Sequence, residues 1–340
     1  MVFQVQLTDR PVEFTLQDDE SILAGGLRHG LTLPYGCQSG GCGSCRVRLR
    51  EGQISYPQEP AALSAAERES GYILMCLARA RSDLALELHQ PLEMDALKPR
   101  SLPARLIDKR MLAEDVVGLR LQTPPANPLR YVAGQYLDFL LEDGRRRSFS
   151  IANAPSDDGV VELHLRHVAG GRFVEWVINE MPERAMFRIE GPLGAFYLRE
   201  DSQRPMLLMA GGTGFAPARA MLQHYMNRRM QRPLHLYWGA RSARDLYALD
   251  EIRTWVRDQA QLQFTPVLSE PDEDWQGASG WVHEALLADY PQLQAHEVYM
   301  SGPPPMIQAA KPAFADAGLD ADHLYYDSFD YAFETWPALG

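Results

Sequence analysis

The chain has 340 residues, 46% of them hydrophobic, which suits two or three domains with cores of their own. Its formal net charge of −12 argues against a nucleic-acid partner, and no run of about eighteen apolar residues offers a membrane span. The acidity is spread rather than focused: residues 1–92 hold eleven Asp or Glu against eight Arg and no Lys.

In chain order, Val2–Leu7 and Val12–Leu16 alternate apolar and polar residues, as the two strands of a hairpin do. Ser21 to Gly30 follows as a capped helix ending in glycine. The four cysteines of the chain are Cys37, Cys42, Cys45 and Cys76. The spacing C-x4-C-x2-C with a distant fourth cysteine is that of a plant-type [2Fe–2S] cluster. Four glycines lie between Pro34 and Cys45, and glycine lets backbone N–H groups approach an anionic centre. Ser39 and Ser44 are small enough to leave room for inorganic sulfides. A structural zinc site usually pairs two short C-x2-C knuckles, a pattern that Cys37-x4-Cys42 and the lone Cys76 break. Two disulfides would need an oxidising compartment, and no signal peptide precedes residue 37. Reduced thiols without a targeting segment lead us to expect a cytoplasmic protein. Arg46–Arg50 alternates again, as a strand leaving the cysteine loop.

Residues 93–102 lie within a proline-punctuated stretch from Pro91 to Pro103 and are expected to be a linker. Beyond it, Ala104–Asp108, Val116–Leu121 and Tyr136–Leu140 are short alternating strands separated by turn residues, the pattern of a small antiparallel barrel. Within that pattern stand Arg147, Ser148, Phe149 and Ser150. A guanidinium fork suits a phosphate, an aromatic ring suits a flat heterocycle and a hydroxyl suits a polar ring edge. The same residues would also make an ordinary exposed strand end with solvated arginines.

Pro205–Ala210 is a short apolar run that suits a buried parallel strand. Gly211, Gly212, Thr213, Gly214 and Pro217 follow, leading into a helical pattern through Met226. Strand, glycine turn and helix start together favour a diphosphate, because free N–H groups and the helix dipole attract anions. A second strand, Leu234–Gly239, ends near the place where an adenosine ribose lies in such folds. Arg241 and Arg244 there would meet a 2′-phosphate, or be ordinary solvated arginines. His164, His224 and His283 are expected to be structural or surface residues.

Residues 1 to about 92 resemble the ferredoxin module of oxygenase-type reductases, which implies that Cys37, Cys42, Cys45 and Cys76 are iron ligands. Arg147, Phe149 and Ser150 resemble the Arg-x-Tyr/Phe-Ser motif of the ferredoxin–NADP reductase superfamily. Leu163 to Phe173 is similar to the strand and glycine turn that meet the flavin diphosphate there, which implies binding by Gly170, Gly171 and Arg172 and favours FAD over FMN. Relatives often carry serine after that aromatic residue; Val174 here leaves the backbone N–H groups to do the work. Glu190–Phe196 is similar to the Gly-Pro-x-Gly-x-Phe turn that closes the flavin domain. The wording from Gly211 to Pro217 resembles the superfamily's Gly-Gly-x-Gly-x-x-Pro, and Val298–Met306 its Gly-Pro-Pro-x-Met turn, which implies nucleotide binding by Gly302 and Pro303. Phe329 is similar to the aromatic residue that lies near the flavin ring, which places it with Ser150 as a candidate catalytic residue; the alternative for Phe329 is core packing.

The resemblance therefore implies a multidomain chain. It consists of an N-terminal β-grasp 2Fe-2S ferredoxin (1–92), an antiparallel β-barrel flavin domain (103–200) and an α/β parallel-sheet NAD(P)-binding domain (201–340). The wording around Gly134–Tyr136, Arg147–Pro155 and Gly211–Pro217 is similar to that of CDP-6-deoxy-3,4-glucoseen reductases, while Gly239–Tyr247 resembles NADH-preferring oxygenase reductases. The implied cofactors are a 2Fe-2S cluster, FAD and NADH, with NADPH as the alternative donor. The implied partner is an electron-accepting protein, an oxygenase component or a deoxysugar dehydratase, with the chain itself a monomer. A non-catalytic iron–sulfur redox sensor is the reading from another class.

Overall fold

The computed structural model describes residues 2–31, 33–36, 38–88, 97–156 and 158–329. Cys37, residues 93–96 of the expected linker and the tail after Phe329 lie outside the described residues. Contacts divide the chain into two compact units, Met1–Pro99 with Pro192–Phe196, and Arg100–Gly191 with Tyr197–Gly340.

The first unit contains β1 (Phe3–Leu7), β2 (Val12–Leu16), α1 (Ile22–Arg28), β3 (Arg46–Glu51), β4 (Ile54–Ser55), α2 (Ala65–Glu69), β5 (Tyr72–Leu74), β6 (Arg79–Ala80) and β7 (Leu84–Glu87). Its five-stranded sheet has the order β2-β1-β7-β3-β5, with β1 and β7 parallel and a small β4-β6 ladder beside it. The alternation in β1 and β2 buries Val5, Leu7, Phe14 and Leu16 against Ile22 and Leu23 of α1. Ser21 caps α1 by accepting from the Ala24 N–H at 3.2 Å. In α2, Ser64 and Glu67 form a capping box, and buried Glu67 also holds Arg46 at 2.7 Å. A mixed sheet packed on the short helix α1 is the β-grasp arrangement of ferredoxins.

The second unit begins with an antiparallel sheet of β8 (Arg100–Ala113), β9 (Val116–Gln122), β10 (Tyr136–Leu140), β11 (Arg146–Ser150), β12 (Val160–Arg166) and β13 (Met186–Leu193), with α3 (Arg172–Asn179) between the last two strands. The order is β11-β10-β13-β8-β9-β12. The sheet closes on itself where Ile151 bridges Leu163 and the Ala152 N–H donates to the Glu162 carbonyl at 2.7 Å. Closure removes the unpaired edges that an open sheet would present. Leu119, Leu121, Leu137, Phe139, Leu163 and Ile189 fill the barrel.

A parallel sheet follows, made of β14 (Met206–Gly211), β15 (Leu234–Ala240), β16 (Leu262–Leu268), β17 (Ala278–Ser279), β18 (Glu297–Gly302) and β19 (Leu324–Ser328). The helices α4 (Phe215–Asn227), α5 (Leu249–Asp258), α6 (Val282–Asp289) and α7 (Pro304–Asp316) connect it. All six residues of β14 are buried, as a near-continuous apolar run in a doubly covered strand must be. The order β17-β16-β15-β14-β18-β19 places the switch in winding direction between β14 and β18. The crevice outside the carboxyl ends of the strands at such a point is where α/β folds bind ligands. Among the described residues no helix is long and apolar enough to cross a membrane.

Candidate cofactor sites

In the first unit the cysteine loop follows α1 and runs into β3. Cys42 and Cys45 are buried and Cys76 is half-buried. Burial and a hydrogen bond link Cys45 to Cys76: that bond, then burial, hold the Cys45 thiol well above its ordinary value, and charge on Cys42 adds to the effect. The Cys42 thiol lies 3.4 Å from Ser44 Oγ. A Cβ at Gly36 would stand 2.8 Å from Cys42 Sγ and 3.0 Å from Ser44 Oγ, so the loop closes over the sulfur only because residue 36 is glycine. Among the described residues no three His, Cys, Asp or Glu side chains gather around a single metal position. A [2Fe–2S] cluster asks less of each iron, since its four thiolates are shared between two metals. The paired Cys45 and Cys76, with Cys42 close by, suit that division.

In the barrel, β11 pairs with β10 so that Tyr136 faces Ser150 and Phe139 faces Arg147. The three arginines of this segment differ in what they meet. Arg145 is held by Asp143, and Arg146 by Asp138 and Glu190. Arg147 donates to the Arg146 carbonyl at 2.8 Å. Ser148 donates to Asp138 at 2.6 Å, so its hydroxyl serves the strand pair. Phe149 is half-buried, stacked on Phe173 at 5.8 Å and edge-on to Phe139. Gly170 has φ +84° and Gly171 is the N-cap of α3, with no side chain capping the helix start at Arg172. Val174 is buried in the barrel core.

In the parallel sheet, β14 runs into a 3-10 turn, Gly212–Gly214, and then α4, so Gly211, Gly212, Thr213 and Gly214 lie at the winding switch. A Cβ at Gly214 would stand 2.1 Å from the Ser301 carbonyl oxygen. The turn therefore packs directly on β18, tied by Ser301 Oγ donating to the Gly214 carbonyl at 2.6 Å. Pro217 is buried in the first turn of α4. Gly302 ends β18, Pro303 is the N-cap of α7, and the Phe329 N–H donates to the Gly302 carbonyl at 3.0 Å.

Barrel and parallel sheet meet along these ends. Ser150 Oγ lies 3.5 Å from Asp327 Oδ2, and both residues are buried. Arg219 of α4 donates to the Ala152 carbonyl at 2.8 Å and makes two bonds of 2.8 and 2.7 Å to Glu251 of α5. Glu162 and His164 of β12 complete this buried group, with His164 Nδ1 3.1 Å from the Tyr247 hydroxyl. Burial tends to raise the Glu162 carboxyl, but His164, Arg219 and Arg110 outweigh it and lower its pKa to about 2. Burial lowers His164, in keeping with a structural histidine.

Asp327, Arg219 and Arg166 carry polar contacts here that pattern alone does not single out. Arg166 ends β12 and pairs with Asp115 at 3.3 Å, while its buried Nε and Nη2 have no hydrogen-bond partner. A Cβ on Gly212 would lie 3.8 Å from its guanidinium carbon. Two unsatisfied guanidinium donors beside a glycine turn fit an anionic diphosphate. The one visible signal for Arg166 is a charge closing an apolar strand.

Three family models match in sequence: a 2Fe-2S iron-sulfur cluster binding domain over residues 5–81, an oxidoreductase FAD-binding domain over 103–197 and an oxidoreductase NAD-binding domain over 208–312. The CDP-6-deoxy-L-threo-D-glycero-4-hexulose-3-dehydrase reductase of Yersinia pestis is 36% identical, the match covering 97% of this chain and 99% of the relative. The chain belongs to the iron–sulfur flavoprotein reductases. Terephthalate 1,2-dioxygenase reductase component 1 of Comamonas sp. is 32% identical over 97% of the reductase and 98% of its own length. The crystal structure of the Amycolatopsis cytochrome P450 reductase GcoB superposes with a TM-score of 0.74 at 30% identity, covering 96% of this chain and 98% of that one. The reductase is thus an NAD(P)H-dependent oxidoreductase with a [2Fe–2S] cluster, FAD and a nicotinamide nucleotide as its cofactors. The cysteine cradle, the α3 start and the unsatisfied Arg166 donors fit the three groups in turn.

Proposed function

We propose that the reductase takes electrons from NADH and passes them, through FAD and a [2Fe–2S] cluster, to an oxygenase component. The observation that carries this reading is the approach of Ser150 and Asp327 within 3.5 Å. It brings the end of the flavin strand and the nucleotide crevice together in one place. When bound, FAD supplies the step between two-electron and one-electron transfer.

The chain divides into a ferredoxin domain (1–92), a linker (93–102), a flavin barrel (103–200) and a nucleotide domain (201–340). Cys37, Cys42, Cys45 and Cys76 hold the irons. Arg147 and the N–H groups of Gly170, Gly171 and Arg172 bind the FAD phosphates. Ser148 keeps β11 straight through Asp138, Phe149 lends an apolar edge to the ring, and Ser150 presents a hydroxyl to its polar edge. Gly211 to Gly214, Pro217, Gly302 and Pro303 form the nucleotide cradle, Arg166 supplies charge to the diphosphate, and Phe329 lies near the flavin ring. No side chain needs to move a proton, so these residues bind and orient. The reductase acts as a cytoplasmic monomer.

A second acceptor, a deoxysugar dehydratase, is favoured by the 36% identity to the dehydrase reductase, against 32% for the dioxygenase component. Anaerobic titration of the purified protein with NADH, followed in the visible spectrum, tests the relay. Bleaching of flavin and cluster bands together is the expected result. An unbleached flavin with either nucleotide would overturn it. Cytochrome-free turnover with each class of partner separates the two acceptors.

A further inference from the structure

The fold places an adenosine ribose beyond the carboxyl end of the second strand, β15. A cavity of about 500 Å³ lies there, lined by Arg241, Arg244 and Asp245 from the nucleotide side and by Glu114, Asp115 and Glu175 from the barrel side. In dinucleotide-binding folds an acidic residue at the end of the second strand often receives the ribose 2′-hydroxyl. Here β15 ends in Gly239-Ala240, with Arg241 next, and Asp245 is occupied by the N–H and hydroxyl of Ser242, at 3.1 and 3.0 Å. Further carboxylates come from the barrel. Glu114 and Asp115 form the β8–β9 turn, anchored where the His167 N–H donates to the Asp115 carbonyl at 2.7 Å. Each side chain meets a guanidinium group: Asp115 that of Arg166 at 3.3 Å, and Glu114 that of Arg244 at 3.6 Å in a largely exposed pair.

Resting on the proposed use of a nicotinamide nucleotide, we infer that the Glu114–Asp115 turn selects NADH against NADPH. The two donors differ by one 2′-phosphate, which brings about −1.5 to −2 charge. Four carboxylates and two guanidinium groups line the cavity, and with Arg166 counted beside Asp115 the wall still carries net negative charge. Arg244, the group that would welcome a phosphate, is already paired with Glu114. The ribose diol of NADH is uncharged and can donate to a carboxylate at no such cost. Each unit charge about 4 Å from the phosphate changes affinity roughly fivefold even in water. The selecting residues thus sit on the flavin barrel, not on the nucleotide fold.

The test compares kcat/KM for NADH and for NADPH, with ferricyanide as acceptor, in the full-length protein and in Glu114→Gln, Glu114→Arg and Glu114→Gln/Asp115→Asn. The native protein should favour NADH at least tenfold. Glu114→Gln should shrink that ratio severalfold, and Glu114→Arg and the double variant at least tenfold. The change should appear in KM for NADPH more than in kcat, and high salt should narrow the native ratio. Glu114 is exposed, so its single variants report selection even where the double variant fails to fold. An unchanged ratio in Glu114→Arg, or a native preference for NADPH, would overturn the inference while leaving the relay intact. A native flavin reduced by neither nucleotide would overturn both.

Discussion

Three consecutive arginines, Arg145 to Arg147, stand at the start of β11, and their surroundings separate them. Arg145 and Arg146 are taken up by Asp143, Asp138 and Glu190, whereas Arg147 donates to a backbone carbonyl. The Arg-x-Phe-Ser wording makes Arg147 the arginine proposed for the FAD phosphate. Replacing it with alanine removes a charge-assisted fork worth about 1.5–3 kcal/mol per bond. Arg147→Ala should retain FAD at least tenfold more weakly, measured by flavin released on dilution or dialysis. Unchanged retention would move the role to a neighbour. Glu162 gives a pH prediction of defined sign. Its carboxyl lies at about 2 in the folded chain against an ordinary 4.5. A depressed acid contributes stability fully above its unfolded value and loses it as pH falls from about 4.5 through about 2. His164, lowered by burial, acts in the same direction from below about 6.5. Acid should therefore lower the melting temperature of the second unit steadily below pH 6, and Glu162→Gln should flatten the fall between pH 4.5 and 3. A parallel fall in that variant would assign the acid lability to other groups.

Among the elements, α4 links the two parts of the second unit. Its N-terminus carries the glycine turn, and one turn further along Arg219 reaches both the Ala152 carbonyl of the barrel and Glu251 of α5. Removing one partner of a buried ion pair leaves the other charge uncompensated, at roughly 3–5 kcal/mol. Arg219→Met should lower the melting temperature and slow NADH-dependent flavin reduction about tenfold, with dithionite reduction of the cluster unaffected. Equal loss of both would mean general unfolding. The same region shows where sequence reading ends. Strand period, the Ser21 cap, the cysteine spacing and the strand–glycine–helix wording are local, so β1, β2, α1, β14 and α4 were legible from composition and pattern. Barrel closure through Ile151 and Leu163 is a contact between segments twelve residues apart whose pairing no local signal announces. β8 begins at Arg100, inside the stretch whose prolines suggested a linker, because Pro103 tolerates its place opposite Arg188 in the strand pair. Arg219 and Asp327 were invisible for the same reason, and Arg166 nearly so: each is an ordinary charged residue until the fold supplies what it faces.

On the scale of the whole molecule, the order of the cofactors can be tested by cutting the chain of transfer at one atom. Cys45 is buried just before β3 in the first unit and linked to Cys76 by a hydrogen bond. Cys45→Ser replaces a soft thiolate by a hydroxyl that binds iron poorly and changes side-chain volume little, so the second unit keeps its own core and its flavin. Ferricyanide can take electrons from reduced flavin directly, whereas cytochrome c needs the one-electron exit. The variant should lose the visible bands of the cluster and nearly all cytochrome c reduction, while nucleotide oxidation with ferricyanide stays within about twofold of the native rate. That split follows only if nucleotide, flavin and cluster act in this order, because each unit holds one end of the relay and the flavin stands at the branch. Loss of both activities with FAD still bound would place the cluster before the flavin or make it a structural requirement of the nucleotide site. Survival of cytochrome c reduction would give the flavin a direct exit of its own and reduce the ferredoxin domain to a dispensable branch.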